Sequence, residues 1–289
     1  MRVALFFEKE KAMKTNNTNK KISTTDKKPI IVCSLITLAL IVVFSLSYYY
    51  WSNADKKQAN NEHITMDEAD SDLLNDPYMY MEPVYDVLDD YTVASMVIKS
   101  DSDEFEDISF TIHQQTEIED FMRGYDYFLN HNIDGSEGYP GQIFTESAVS
   151  RDFLGFNQFN TVVYGHNMKS GEAFGWIRSL LDDDTFKAYN KVYVYYTNGS
   201  VARYTLNCLS VVSNEELTQQ FNNFEDDSDR TDFLKYVYDN ATNSRSEYSD
   251  DLTNNSRYIT LSTCLGDDSK RRVALLEYDG SIYVDHASK

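Results

Sequence analysis

Cysteine is scarce in this chain, which excludes one large class of extracellular folds. Only three of the 289 residues are cysteine, namely Cys33, Cys208 and Cys264. Disulfide-built scaffolds carry more cysteine for their length, because their cross-links replace a large hydrophobic core. We therefore expect a packed core to hold the fold together, and one or both of Cys208 and Cys264 to be free thiols.

Positive charge is scarce as well. The chain has 26 Lys and Arg residues against 47 Asp and Glu, a formal net charge of -21. Nucleic-acid-binding proteins present basic surfaces to phosphates, so this balance gives no support to a nucleic-acid partner. The spacings typical of metal ligands, such as CxxC, HxxxH and HExxH, do not occur, so we expect neither a metal nor another cofactor.

One long segment lacks charge altogether. No charged residue occurs from Ile30 to Tyr50, and about 20 apolar residues are what an α-helix needs to cross a bilayer. The segment ends in aromatic residues that favour the membrane interface rather than in a small-residue cleavage site. This pattern predicts an uncleaved transmembrane helix over residues 30–50.

The charges on the two sides of this segment predict its orientation. Residues 1–51 contain 8 Lys and Arg and 3 Asp and Glu, whereas the remainder contains 18 and 44. The positive-inside rule therefore places residues 1–29 in the cytoplasm as an N-terminal tail. Residues 51–76 are acidic and read as a flexible stalk, and residues 77–289 form an extracellular folded domain of a single-pass cell-membrane protein.

The folded domain has the pattern of a mainly β fold with inserted helices. Short runs of Val, Ile, Tyr, Phe and Thr alternate with turn residues, and Asn198-Gly199 is a strong hairpin signal. We expect a β-barrel or β-sandwich. The predicted strands are 109–113, 142–145, 160–164, 191–197, 200–212, 257–263 and 272–278, and the predicted helices are 83–95, 119–129, 170–181 and 229–244.

Cys264 is the first candidate for chemistry. It ends a β-patterned run, "YITLSTC", and Arg271 and Arg272 follow after a turn. A cysteine attacks a carbonyl only as its thiolate, so it needs a group that takes or displaces its proton and donors for the oxyanion. From these residues alone, a buried structural cysteine beside a solvated charged turn remains the alternative.

His166 is the second candidate. It follows the apolar run "NTVVYG" and so lies at the end of a predicted strand, where active sites of β domains often occur. The other four histidines lie in the stalk, at the C-terminus or in segments without a reactive neighbour. Taken alone, His166 could equally be structural.

Together these segments resemble a known family. The signature "TLSTC" at Thr260 to Cys264, the arginine before an apolar strand, and the upstream "NTVVYGHNMKSGEAFGWI" resemble the sortases, specifically class B sortases. A helix-bearing insertion over residues 214–256 is similar to the one that distinguishes class B. The resemblance implies a sortase-type β-barrel preceded by an N-terminal transmembrane helix.

The resemblance also implies roles for six residues. Cys264 would be the nucleophile, His166 the general acid and base, and Arg272 the cation that holds the substrate and stabilises the oxyanion. Arg272 is preferred to Arg271 because it directly precedes the apolar run "VALL", and adjacent strand residues point to opposite faces. The positions that match the family's substrate groove are Tyr164, Ser262 and Thr263.

The implied reaction is acyl transfer through a thioester by a sortase B-type cysteine transpeptidase. The enzyme would cleave an NPQTN-like sorting motif of secreted proteins after Thr and transfer the acyl group to an amine of a peptidoglycan precursor. Three alternatives remain open: a pilin-polymerising sortase with a Lys acceptor, an extracellular cysteine peptidase that uses water, and an adhesin or pilin-like binding domain in which Cys264 is structural.

Overall fold

A computed structural model describes residues 71–284, except for residues 87, 147–158, 216–223, 225, 250–251, 253–256 and 267–268. The predicted cytoplasmic tail, the predicted transmembrane helix and residues 51–70 of the predicted stalk lie outside the described residues. Among the helices that are described, none has the length and apolar character needed to cross a membrane.

The described part of the chain is organised around one β-sheet. Its strands are β1 Thr92–Ser100, β2 Ile108–Gln114, β3 Phe144–Thr145, β4 Asn160–Tyr164, β5 Tyr189–Tyr196, β6 Ser200–Ser213, β7 Ala241–Ser244, β8 Tyr258–Cys264 and β9 Lys270–Tyr283. The strand order is β5-β1-β2-β3-β4-β8-β9-β6-β7, and β5 also pairs with β6. Eight of these strands therefore close into a barrel, and β7 extends the sheet beside β6.

Short helices connect and cover the strands. They are α1 Ser71–Leu74, α2 Glu117–Arg123, α3 Tyr127–Asn130, α4 Asp183–Ala188 and α5 Asp227–Asp239, with 3-10 helices at Pro77–Tyr80 and Gly175–Leu181. Alternating residues of the strands fill the barrel interior, and α5 packs Phe233 and Val237 against its outer face. The predicted mainly β fold with inserted helices, and its barrel form, are thus confirmed.

One predicted helix contains a strand, and the other three predicted helices have different ends or an interruption. Residues 83–95 were expected to be helical, but 92–100 form β1, which pairs with β2 on one side and β5 on the other. The pairing on both edges satisfies the backbone of this segment and overrides its helix-like apolar spacing. The predicted helix 119–129 is interrupted at Gly124, which has a φ of 94°. The predicted helix 229–244 ends at Asp239 and is followed by β7, and the predicted helix 170–181 is a 3-10 helix over Gly175–Leu181.

The packed body begins ahead of the predicted boundary at residue 77. Leu73 of α1 is buried in a cluster on the outer side of β5 and β6. Beside it, Arg203 donates to Asp72 at 2.9 Å, to Asp76 at 3.0 Å and to Asp279 at 3.2 Å. Residues 71–76, assigned above to the flexible stalk, are therefore held on the barrel by burial and by ion pairs.

Candidate active site

Strands β4 and β8 lie side by side in parallel, and both end at the same edge of the barrel. Tyr164 pairs with Ser262, and the Gly165 N–H donates to the Ser262 carbonyl at 3.2 Å. His166 comes directly after this ladder on one strand, and Cys264 is the last residue of the other. The fold thus brings together the two residues that the sequence singled out in separate segments.

Asn167 links the two strand ends through its side chain. Its Nδ2 donates to the Cys264 carbonyl at 2.8 Å across 97 residues of sequence, and its Oδ1 accepts from Arg178 Nη2 at 2.9 Å. The sequence analysis missed both residues. Asn167 could have been found from the sequence because it directly follows His166. No motif in the sequence marks Arg178.

Both ring nitrogens of His166 are occupied by groups other than the thiol. Nε2 lies 2.8 Å from the Leu129 carbonyl, which can only accept, so Nε2 carries the proton. Nδ1 then accepts from the Tyr139 hydroxyl at 3.2 Å. Burial lowers the pKa of His166, and the bond to Leu129 opposes that effect only in part, so the imidazole is neutral at pH 7.

Cys264 differs from Cys208 in its surroundings. Cys264 is partly exposed and free, and among the described residues no hydrogen bond joins its Sγ to His166. Cys208 is fully buried on the outer face of the barrel, and burial raises the pKa of its thiol to about 11. Accessibility therefore favours Cys264 as a nucleophile and marks Cys208 as a packing residue.

The two arginines occupy different positions on β9. In the antiparallel β8–β9 ladder Arg271 lies opposite Cys264, and Arg272 lies opposite Thr263. Directly opposed residues share a face of the sheet, so the predicted Arg272 is not the cross-strand partner of the cysteine. Arg272 is nevertheless only 8% exposed, and its Nε has no hydrogen-bond partner in the described structure. Burial and the nearby Arg178 lower the pKa of Arg272.

The three predicted groove residues lie around these groups. Ser262 and Thr263 are buried, and neither hydroxyl has a hydrogen-bond partner within the described residues. Tyr164 is partly buried and stacks on Phe144 with ring centroids 5.5 Å apart. Buried hydroxyls without partners are costly, so Ser262 and Thr263 have unused capacity for a bound group.

Comparison with known proteins shows what the domain is similar to. Residues 139–276 match the family model described as "Sortase domain". Sortase B of Listeria monocytogenes is 31% identical over 142 residues, which are 48% of this chain and 53% of that protein. The chain thus matches about half the length of this curated relative.

Solved structures agree in fold. The X-ray structure of Clostridium perfringens sortase B superposes with a TM-score of 0.52 at 25% identity, over 66% of this chain and 94% of that one. A Streptococcus pyogenes class B sortase involved in pilus biogenesis gives 0.50 at 16% identity, with the same coverage of both chains.

The barrel with a cysteine and a histidine at one strand edge is thus similar to sortase domains in sequence and in fold. The similar proteins named here are class B sortases, as the "TLSTC" and "YGHNM" segments predict. The resemblance stated from the sequence is thereby confirmed. The roles of the individual residues remain predictions, which the geometry above now makes specific.

Proposed function

We propose that this chain is a membrane-anchored cysteine transpeptidase that cleaves a sorting motif after Thr and transfers the acyl group to an amine. The observation that supports it most is the shared edge of β4 and β8, where Asn167 of the loop after His166 holds the Cys264 carbonyl at 2.8 Å. Nucleophilic catalysis needs a thiol and a base near each other, and the two neighbouring strand ends bring Cys264 and His166 to the same edge of the barrel.

The first half of the reaction forms a thioester. The Cys264 thiol gives its proton to the Nδ1 of His166, and Sγ bonds to the threonine carbonyl carbon of the sorting motif. The C–N bond then breaks, and the imidazolium returns the proton to the departing amine. In this structure Nδ1 accepts a hydrogen bond from the Tyr139 hydroxyl. That hydrogen bond must break before Nδ1 can take the proton of the thiol.

The second half regenerates the enzyme. The acceptor amine attacks the thioester carbon and gives a proton to His166, a new C–N bond forms as the C–S bond breaks, and the imidazolium returns that proton to the departing Cys264 sulfur. Arg272 holds the substrate and stabilises the oxyanion in both halves, with a guanidinium whose buried Nε is otherwise unpartnered. The hydroxyls of Ser262 and Thr263 and the ring of Tyr164 line the groove.

The proposed partners and location follow from the sequence and the family. The substrates are secreted proteins with an NPQTN-like motif, and the acceptor is an amine of a peptidoglycan precursor. The uncharged segment over residues 30–50 would anchor the chain in the cell membrane, with the N-terminus in the cytoplasm and the catalytic domain outside.

A product analysis tests the proposal. The full-length chain in detergent is incubated with a fluorescent NPQTN-containing peptide and an excess of glycine oligomer, and the products are weighed by mass spectrometry. We expect a transfer product with the wild type and none with Cys264→Ala. Hydrolysis alone, even with abundant amine, would favour the peptidase alternative, and unimpaired processing by Cys264→Ala would favour a structural cysteine.

The acceptor distinguishes the remaining alternative within the family. A lysine-containing pilin peptide offered in place of the glycine oligomer would give an isopeptide product if the enzyme polymerises pilins. Preferential use of the peptidoglycan-type amine supports wall attachment, because both reactions share the same thioester and differ only in the attacking nitrogen.

A further inference from the structure

Two arginines beside the candidate active site form no ion pair with Asp or Glu in the described part of the chain. Arg203, Arg123 and Arg230 all form ion pairs with Asp or Glu. Arg178 and Arg272 form none within the described residues, although the chain as a whole carries a net charge of -21. A ligand bound beside Cys264 would therefore meet two cations that no described carboxylate neutralises.

The surroundings of Cys264 show how the two guanidinium groups are placed. Arg178 donates Nη2 to Asn167 Oδ1 at 2.9 Å, and Asn167 in turn holds the Cys264 carbonyl. Arg272 lies across the ladder from Thr263, the residue before Cys264. Arg178 therefore approaches the end of β8 from the 3-10 helix Gly175–Leu181, and Arg272 approaches it from the neighbouring strand β9.

The two side chains differ in burial, because Arg178 is exposed whereas Arg272 is almost enclosed. Arg272 is 8% exposed, its Nε has no partner among the described residues, and the positive charge of Arg178 acts against its own. A buried guanidinium nitrogen without a partner is costly, because it has lost its hydrogen bonds to water. Unfavourable charge placement of this kind is characteristic of sites that bind a charged ligand.

We propose that Arg178 and Arg272 form a carboxylate-binding subsite beside Cys264, a proposal that rests on the transpeptidation proposed above. Guanidinium groups bind carboxylates through paired, charge-assisted hydrogen bonds. Arg178 uses Nη2 for Asn167 and Met168, which leaves its Nε and Nη1 for a ligand. The carboxylate belongs either to the amine acceptor or to the sorting peptide near its scissile bond.

Two matched substrate pairs distinguish these sources. The acceptor pair is glycylglycine and glycylglycine amide, which offer the same amine with and without a carboxylate. The peptide pair carries Asp or Asn directly after the scissile threonine. For each pair, kcat/KM is measured for both members with the full-length chain. The value for the carboxylate-bearing member is divided by that for the neutral member, so the neutral member is the reference within each variant.

Three variants separate charge at Arg178 from general effects. Arg178→Gln removes the charge but keeps a donor for Asn167, Arg178→Lys keeps the charge, and Arg230→Gln removes one positive charge on α5. We expect the wild type to favour the carboxylate-bearing member of one pair by about tenfold. Arg178→Gln should bring that ratio to about 1, Arg178→Lys should keep part of it, and Arg230→Gln should keep all of it.

Each outcome decides the proposal. A loss of preference confined to the acceptor pair assigns the carboxylate to the acceptor, and a loss confined to the peptide pair assigns it to the sorting substrate. Wild-type ratios near 1 for both pairs, or ratios that Arg178→Gln leaves unchanged, would overturn the subsite. Hydrolysis without transfer would overturn the proposed transpeptidation, and the Asp and Asn peptides would still decide the subsite.

Discussion

Cys264 lies directly across the β8–β9 ladder from Arg271, while Arg272 lies across from Thr263. The cross-strand neighbour of the nucleophile is therefore not the arginine that the family resemblance selects. Burial points the other way, because Arg272 is almost enclosed and Arg271 is partly exposed and donates to the Lys270 carbonyl at 3.1 Å. Position on the ladder and burial thus favour different arginines.

The arginines can be separated by single substitutions. Arg272→Ala should lower kcat/KM for peptide cleavage by about 10²- to 10³-fold, the loss typical of removing one oxyanion donor. Arg271→Ala should change it only a few-fold at most, since that side chain is partly solvated. Steady-state cleavage of a fluorogenic sorting peptide measures both, and the opposite ranking would make the cross-strand partner of Cys264 the functional cation.

The two described cysteines should differ in reactivity. Iodoacetamide at pH 7.5 should label Cys264 and leave Cys208 unmodified, because the Cys208 thiol is buried and its pKa is raised to about 11. Peptide mapping by mass spectrometry reads out each site. The same treatment after denaturation in urea is the control and should label both. Equal labelling in the folded chain would contradict the burial of Cys208.

Tyr139 should set the pKa of His166. Its hydroxyl donates to Nδ1, a bond that only the neutral imidazole can accept, so this bond favours the neutral form. Tyr139→Phe should therefore raise the pKa of His166 toward its usual value. NMR titration of the imidazole resonances measures the change.

His113 provides the internal control for this titration. It is buried, its Nδ1 lies near the Ile143 carbonyl, and burial lowers its pKa as well. Because none of its described contacts is with Tyr139, its titration should be the same in both proteins. A shift of His113 together with His166 would show a general loosening of the fold rather than the loss of one hydrogen bond.

The ion pairs that hold α1 should contribute unequally to stability. Asp76 accepts from Arg203 and from the Tyr193 hydroxyl and is only 11% exposed, whereas Asp72 is 75% exposed. Asp76→Ala should lower the free energy of unfolding by about 3 kcal/mol, because it removes one partner of a buried charge. Asp72→Ala should cost less than about 1 kcal/mol.

Urea unfolding followed by intrinsic fluorescence measures this difference. Both substitutions remove one negative charge near the same arginine, so each serves as the control for the other. Equal losses would mean that the number of carboxylates near Arg203, rather than their burial, determines how firmly the N-terminal helix is held.

Much of the barrel could be predicted because its strands alternate strongly and its turns are marked. The range 160–164 was predicted with the observed ends of β4, and the Asn198-Gly199 turn joins β5 to β6 as expected. Strand β1 was missed because its apolar residues also fit a helical spacing, and only its pairing with β2 and β5 decides between them. Strand β7 has four residues, too few for a periodic signal.

The candidate site could be predicted only in part, for a similar reason. The sequence marks Cys264 and His166 through short motifs, but the roles of Asn167 and Arg178 depend on contacts across the barrel. The hydrogen bond from His166 to Leu129 uses a backbone carbonyl, which every residue possesses. The residue type at position 129 therefore does not predict this hydrogen bond, which is found only in the folded structure.

Strand β9 lies between β8 and β6 and pairs with both. Among the described strands it comes last in sequence order, so the ring of strands cannot close until this segment has been made. Before that moment β8 and β6 would each present an unpaired edge, and Cys264 would lack the strand that carries Arg271 and Arg272. Synthesis of the final segment would then be the event that completes the chemistry, and an incompletely translated chain would carry a thiol without its cations.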